Sequence, residues 1–133
     1  MPRKAADGSG SLEVPVLGQR SELVAQLVET VALLTAWHMD QGMGPVEAAR
    51  ATLSRLEGAF ALAFLFEGEA DLMIAARRGS PLALGHGNGE MFLGSDAIAL
   101  APFTDRITYL EDGDHAVIRR AGAEIFDAAG RPE

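Results

Sequence analysis

The spacing of apolar residues changes at Gly58, and this change limits the possible fold more than any other feature of the chain. Before Gly58, apolar side chains recur three or four positions apart, which is the period of one helix face. After it, residues 59–66 are apolar at every position, which indicates a strand covered on both faces. A buried helical turn has a similar composition, but the short length and the bounding glycines favour the strand.

Two helices are predicted ahead of Gly58. Ser21 is placed to cap the first helix, Glu22 suits its positive end, and the helix continues to about Trp37. Pro45 begins the second helix, and Gly58 is predicted to end it. The apolar stripes of the two helices consist of Leu23, Leu27, Val31 and Leu34, and of Val46, Ala49, Leu53 and Leu56.

Short apolar runs separated by turn residues follow the buried strand, and they predict strands at 71–76, 81–84, 91–93, 107–110, 115–119 and 124–126. Ser95 or Asp96 can cap a brief helical turn that ends at Leu100. The last three strands are predicted to form a meander, with turns at Asp112–Gly113 and at 121–122. Helices first and strands afterwards predict an α+β fold, with two helices packed on a mostly antiparallel sheet.

Length and composition exclude several classes of protein. The chain has 133 residues and a net charge of −8, so it fits one domain and lacks the clustered Lys and Arg of nucleic-acid binders. The absence of cysteine rules out disulfides and thiolate metal ligands. No apolar run approaches the ~20 residues of a membrane span, and the polar N-terminus is unlike a secretory signal. We expect a soluble cytoplasmic domain over residues 20–130, after a flexible tail or linker over residues 1–19.

Five motifs occur in order between residues 56 and 114: LEGAFAL, AARRGSPL, GHGNGEMFL, SDAIAL and TDRITYLEDGD. In sequence and spacing they resemble the glucosamine-6-phosphate synthases, also called glutamine–fructose-6-phosphate aminotransferases. The amidophosphoribosyltransferases share the outline, but they usually carry RDPxGxxPL where this chain has residues 77–82. The signature residues, to which we assign structural roles, are Gly58, Arg77, Gly79, Ser80, Pro81, Ser95, Asp96, Glu111, Asp112 and Gly113.

The resemblance implies the C-terminal half of a class II glutaminase domain, with the sandwich fold of the N-terminal-nucleophile hydrolases. In that family an N-terminal cysteine attacks the glutamine amide, and the first half supplies an Arg-containing loop and an Asn-Gly oxyanion hole. The residues before Ser21 offer a counterpart to neither, so we predict no catalytic residue, no metal and no cofactor in this chain. Arg20 stands where the family has an Asp that holds the α-ammonium of glutamine, and a cation there would repel that group.

Two further clusters could bind ligands, and a structural explanation is favoured for each. The glycine-rich segment around His86 could cradle an anion, with His86 as a general base, but it opens no helix and is better explained as a hairpin. Glu111, Asp112 and Asp114 could bind Ca²⁺ or Mg²⁺. They lack further oxygen ligands at the spacing of a known loop, so a solvated turn is favoured.

Single side chains are assigned structural roles as well. Arg77 is expected to bind a carboxylate such as Asp96. His38 is interpreted as a cap at the C-terminal end of the first helix, where a cation suits the helix dipole, and His115 as a surface or interface residue. Ser80 has no His and Asp arranged for a triad.

Two functions fit these observations. The first is part of a glutamine-dependent aminotransferase, whose glutaminase-derived ammonia would aminate fructose 6-phosphate on a separate sugar-isomerase domain. On this reading the chain alone is inactive, and it neither hydrolyses nor binds glutamine. The second is a stand-alone, non-catalytic assembly or ligand-binding module on the same scaffold. The motifs after Gly58 favour the first function, and Arg20 together with the tail favours the second.

The expected partners are the missing glutaminase half and the sugar-isomerase domain, or a second copy of the chain; we expect neither nucleic acid nor membrane. The homodimer is expected because a half-sandwich would leave one apolar strand face open, near Phe60, Leu62, Phe64 and Phe66. Alternatively the tail could cover that face, through Val14, Val16 and Leu17.

Overall fold

The computed structural model describes Leu12–Glu13 and residues 22–133. Backbone contacts divide the chain into two units. The first contains the described residues up to Glu57 together with Leu62–Ala70, and the second contains Gly58–Ala61 together with Asp71–Glu133. Arg20, the predicted helix cap at Ser21 and the three apolar tail residues lie outside the described residues.

The first unit contains helix α1 (Glu22–Asp40), helix α2 (Pro45–Leu53), strand β1 (Leu12–Glu13) and most of strand β2 (Phe60–Phe66). Strand β1 falls within the segment predicted as a tail, and it pairs antiparallel with the end of β2. As predicted, Pro45 begins α2, with Gly44 at the N-cap position. Among the described residues, no helix is both long enough and apolar enough to cross a bilayer.

Small and hydroxyl side chains bring α1 and α2 together. Ala48 and Ala49 are fully buried, and the Thr35 and Thr52 hydroxyl oxygens lie 2.7 Å apart. Each hydroxyl also lies within hydrogen-bonding distance of the carbonyl four residues earlier in its own helix. Each hydroxyl has one proton, so the two protons form two of these three possible hydrogen bonds at a time, and each proton has an acceptor within this cluster.

Two expectations about the helix ends are wrong. Helix α2 ends at Leu53 and not at Gly58, because the Ser54 hydroxyl donates to the Ala51 carbonyl at 2.7 Å, and tighter backbone bonds follow. His38 lies in the last turn of α1, as predicted, but its side chain does not cap the helix: it is 8% exposed, and neither ring nitrogen has a hydrogen-bond partner. Its ring instead packs edge-on against Trp37, with the ring centroids 5.1 Å apart.

The second unit contains two groups of antiparallel strands. In the first group, β7 (His115–Arg119) lies between β3 (Met73–Arg78) and β8 (Gly122–Phe126). The second is a three-stranded sheet in which β4 (Ala83–His86) lies between β5 (Met91–Gly94) and β6 (Ile107–Tyr109). Helix α3 (Ala97–Leu100) follows β5 and packs against it.

The predicted meander is wrong at its first strand, because β6 pairs with β4 and not with β7. Residues 110–114 are bonded to other elements: the Leu110 amide donates to the Leu82 carbonyl, and the Gly113 amide donates to the Arg77 carbonyl, both at 3.1 Å. The Asp112–Gly113 turn therefore carries the chain from one sheet to the other. The β7–β8 hairpin is formed as predicted.

Strand β2 is buried along most of its length, as its continuous apolar run predicts. Leu62 is 5% exposed, Phe64 is fully buried and Phe66 is 6% exposed. The expectation that this strand would present an open apolar face is therefore wrong. That burial removes the motive for a homodimer through β2, and the homodimer itself stays a prediction.

Candidate functional site

The guanidinium of Arg77, near the end of strand β3, binds two other segments of the second unit. Its Nε donates to the Ser80 carbonyl at 2.7 Å, and its Nη1 donates to the Leu110 carbonyl at 2.9 Å. Its Nη2 lies 3.4 Å from Oδ1 of Asp112. The Arg77 backbone amide adds a bond to the Asp114 carbonyl at 3.1 Å. One residue thereby fastens the end of β3, the following turn and the 110–114 corner.

Asp112 completes this arrangement through the backbone. Its Oδ1 accepts a 2.6 Å hydrogen bond from the Gly79 amide. Gly79 has φ +77°, and a Cβ added there would lie 2.7 Å from the Ala59 Cβ, so only glycine fits this close approach. Gly79 also bridges to Phe60, whose ring lies 5.1 Å from the guanidinium carbon of Arg78. We call Arg77, Gly79 and Asp112 the Arg77 cluster.

The bonds to backbone carbonyls matter more in this cluster than the ion pair. The Arg77 side chain is 17% exposed, whereas that of Asp112 is 68% exposed. An ion pair that is open to solvent contributes little to the stability of the fold, because water screens both charges. A buried carbonyl oxygen left without a donor would instead destabilise the fold by the free energy needed to remove it from water.

The predicted pairing of Arg77 with Asp96 is wrong. Asp96 is the N-cap of α3, and its Oδ1 accepts from the Ala99 amide at 3.0 Å. A carboxylate at this position satisfies a free N–H group of the first helical turn, so it is used locally. The cap itself is confirmed, with Asp96 and not Ser95 as the residue that provides it.

The glycine-rich segment around His86 forms the hairpin between β4 and β5, as predicted. The Gly87 amide donates to the Glu90 carbonyl at 2.9 Å and closes the hairpin. A neighbouring turn holds the hairpin in place, because the Thr104 hydroxyl donates to the His86 carbonyl at 2.6 Å. The His86 amide donates in return to the Arg106 carbonyl at 2.9 Å.

A groove of about 420 Å³ lies between this hairpin and the 103–106 turn. The stacked rings of Phe92 and Phe103, with centroids 5.2 Å apart, form its apolar part. Glu90, Asp105 and Arg106 supply its charges. The sequence analysis missed the 103–106 turn, although the Thr-Asp pair there is a common turn signal.

Three carboxylates meet beside the 110–114 corner. One oxygen from each of Glu111, Asp114 and Glu133 lies within 4.8 Å of the others. Asp112, expected in this group, is instead bound to Gly79. Asp114 is 4% exposed, so the expectation of a solvated turn is wrong for it. The hydrogen bond from Asp114, followed by partial desolvation and the neighbouring carboxylates, raises the pKa of the Glu133 carboxyl to about 7.

Among the described residues, no histidine belongs to this carboxylate group. His86 has Nε2 2.8 Å from the Thr108 hydroxyl, on the face of the second sheet. His115 is 7% exposed and stacks on Phe126, so the prediction of a surface residue is wrong. The first four residues of β7 are all buried, and His115 is the first of them, which its polarity alone does not reveal.

Relatives of the chain are found among aminotransferases, although no family model matches it. The glutamine–fructose-6-phosphate aminotransferase of Mesorhizobium japonicum is 64% identical over 103 residues, which cover 77% of this chain and 17% of that protein. The enzyme of the same name from Caulobacter vibrioides is 54% identical over 110 residues, or 83% of this chain. The chain is therefore similar to one segment of the glutamine–fructose-6-phosphate aminotransferases.

The similarity to these aminotransferases concerns one segment, because the chain spans only 17% of the length of the curated relatives it matches. Among solved structures, the allosteric regulatory enzyme of purine biosynthesis superposes with a TM-score of 0.65 at 22% identity, covering 96% of this chain and 30% of that one. Glutamine phosphoribosylpyrophosphate amidotransferase from B. subtilis gives 0.63 at 23% identity, covering 93% and 30%. These likenesses confirm the predicted α+β fold of the N-terminal-nucleophile type.

The aminotransferase signature residues separate into groups in the structure. Arg77, Gly79, Ser80, Asp112 and Gly113 come together around one guanidinium. The others lie elsewhere: Ser95 and Asp96 begin α3, Pro81 precedes β4, Glu111 flanks the carboxylate group, and Gly58 follows α2. Arg20 lies outside the described residues, so its position beside a glutamine site stays a prediction.

Proposed function

We propose that this chain serves as the second half of the glutaminase domain in a glutamine-dependent aminotransferase that makes glucosamine 6-phosphate from fructose 6-phosphate and glutamine. In this role it provides a scaffold and contributes no nucleophile. The 64% identity to the Mesorhizobium japonicum protein over 103 residues carries the proposal. The absence of cysteine in all 133 residues supports the view that this chain alone does not hydrolyse glutamine.

The Arg77 cluster supports a scaffolding role in physical terms. Its side chains are engaged with neighbouring backbone groups, which leaves them poorly placed to bind a substrate. In this proposal residues 20–130 form the partial glutaminase domain, residues 1–19 are a linker, and the partners are the rest of the glutaminase domain and a sugar-isomerase domain. The proposed location is the cytoplasm.

A second candidate function is a stand-alone, non-catalytic module on the same scaffold. Arg20 favours it, because the resemblance places an ammonium-binding acid at that position. A guanidinium there would repel the α-ammonium of glutamine, so a chain with Arg20 could keep the fold without the activity. A second copy of the chain is the proposed partner in this case.

A segment exchange separates the two functions. Residues 20–130 replace the matching segment of the Mesorhizobium japonicum aminotransferase, and the formation of glucosamine 6-phosphate from glutamine is measured. Two chimeras are compared, one with Arg20 and one with Arg20→Asp. We expect the Asp chimera to retain activity, because the described scaffold is shared, and the Arg chimera to show a raised KM for glutamine.

Using ammonia in place of glutamine provides the control, since it bypasses the glutaminase site while still requiring a folded enzyme. A folded, ammonia-dependent Asp chimera that cannot use glutamine would contradict the scaffold proposal. Equal glutamine KM values in the two chimeras would contradict the role given to Arg20. For the chain by itself, we expect no glutamate release from glutamine and no calorimetric binding isotherm.

A further inference from the structure

We propose that Asn88–Gly89, at the tip of the β4–β5 hairpin, is a site of spontaneous covalent modification by deamidation. The backbone nitrogen of Gly89 attacks the side-chain carbonyl carbon of Asn88 and closes a five-membered imide. The proton of that nitrogen passes to solvent, and the side-chain nitrogen leaves as ammonia. Water then opens the imide at either carbonyl, which yields aspartate or isoaspartate without any oxidant or reductant.

The local geometry leaves both reacting groups free. Asn88 and Gly89 are exposed, and they form the bend between Gly87 and Glu90, whose backbone bond closes the hairpin below them. In the described part of the chain, neither the Asn88 amide nor the Gly89 nitrogen takes part in a hydrogen bond. No atom lies within 4 Å of the position that a Gly89 Cβ would occupy, so nothing crowds the ring closure.

Asp112–Gly113 is a matched contrast within the same unit, because an Asp-Gly pair can close the same imide with loss of water. Here both reacting groups are already engaged. The Asp112 carboxylate accepts a 2.6 Å bond from the Gly79 amide, and the Gly113 nitrogen donates to the Arg77 carbonyl at 3.1 Å. The structure therefore distinguishes two chemically similar pairs. The reacting groups of Asn88–Gly89 are free, whereas those of Asp112–Gly113 are hydrogen-bonded.

The modification would change the groove beside the hairpin. Asn88 lies on its rim, with Glu90 and Asp105 among the other lining residues. Conversion adds one negative charge to these two carboxylates and to a chain of net charge −8. The isoaspartate product also lengthens the backbone by one carbon at the tip, which would alter the two-residue bend.

Intact mass provides a direct test, because Asn88 is the single asparagine in the sequence. The purified 133-residue chain is incubated natively in mildly alkaline buffer, alongside Asn88→Gln and the wild-type chain unfolded in urea. We expect the native wild type to gain about one dalton and to become more acidic, with the change mapped to residue 88 by peptide analysis. The Gln variant should keep its mass, because its longer side chain closes the corresponding ring far more slowly.

Isoaspartate at residue 112 is measured in the same peptide maps. We expect it in the urea-unfolded chain and not in the native chain. An unchanged mass of the native wild type, over a period in which the unfolded chain converts, would overturn the proposal. Equal conversion at residues 88 and 112 in the native chain would overturn the structural distinction on which it rests.

Discussion

Replacing Gly79 with Ala tests the close approach at the centre of the Arg77 cluster. The change adds one carbon to a backbone with φ +77°, in a position 2.7 Å from the Ala59 Cβ and 3.3 Å from the Ala59 Cα. Real Cβ atoms do not approach so closely, and one of the two contacts is with backbone that cannot rotate away. The Gly79 amide must therefore move relative to Asp112, whose carboxylate it binds at 2.6 Å.

The expected loss of stability has two parts. A non-glycine residue in the left-handed region costs roughly 1–2 kcal/mol. Forcing an extra carbon into a packed site adds typically about 1–3 kcal/mol. We therefore expect Gly79→Ala to lower the free energy of unfolding by about 2–5 kcal/mol, which is a large share of the roughly 5–15 kcal/mol of a natural domain.

Urea unfolding followed by far-UV circular dichroism measures this loss, with Gly68→Ala as the matched control. Gly68 has φ +87° but no atom within 4 Å of an added Cβ, so only the backbone part applies there. Combining Gly79→Ala with Ala59→Gly removes one of the two clashing carbons, and the pair should be less destabilised than the sum of the single changes. Equal losses for the Gly79 and Gly68 variants, or additive losses in the pair, would refute the reasoning.

Three further predictions concern other buried or coupled side chains. Thr35→Val should lower the free energy of unfolding by about 1–2 kcal/mol in urea titrations, and adding Thr52→Val should cost less than a second such loss, because the contact between the two hydroxyls is already gone. His38→Leu should raise the urea midpoint, since it removes two buried ring nitrogens without partners; a lower midpoint would contradict this. The bond between Asp114 and Glu133 should stabilise the fold fully below pH 4.5 and be lost as pH rises through about 7, because the pKa of Glu133 is raised from 4.5. Glu133→Gln keeps a donor at every pH, so its melting temperature should lack that decline; a parallel decline in both proteins would count against the raised pKa of Glu133.

Local patterns in the sequence predicted most elements of this fold. The continuous apolar run that became β2, the Asp96 cap and the β7–β8 hairpin depend on neighbouring residues, which the sequence displays directly. The pairing of β6 with β4 was missed, because it depends on bonds made by Leu110 with residues far away in the sequence. The residues next to a strand in sequence say little about which distant strand it pairs with.

At the candidate site too, the sequence indicated local features but not contacts between distant residues. The motif around Arg77 was recognised from its letters, but its partner was assigned to Asp96 and not to Asp112. Both acids lie far from Arg77 in sequence, and sequence separation does not tell which of them is near it in the fold. The predicted helix cap at Asp96 already gave that side chain another partner. The burial of His115 was missed because β7 is buried at four successive residues, so that both of its faces are covered, and the polarity of His115 does not indicate this.

The Arg77 cluster also has a consequence for the order in which the chain can fold. Arg77 precedes Asp112 by 35 positions, so on the ribosome the guanidinium emerges well before two of its acceptors exist. Closing a loop of that length costs about 3 kcal/mol of chain entropy. The β4–β5 hairpin lies inside this loop and needs only local contacts, so it can form first and shorten the effective distance. The bonds between the end of β3 and the 110–114 corner should therefore form late in folding. Substitutions in the Arg77 cluster should then raise the unfolding rate more than they lower the folding rate.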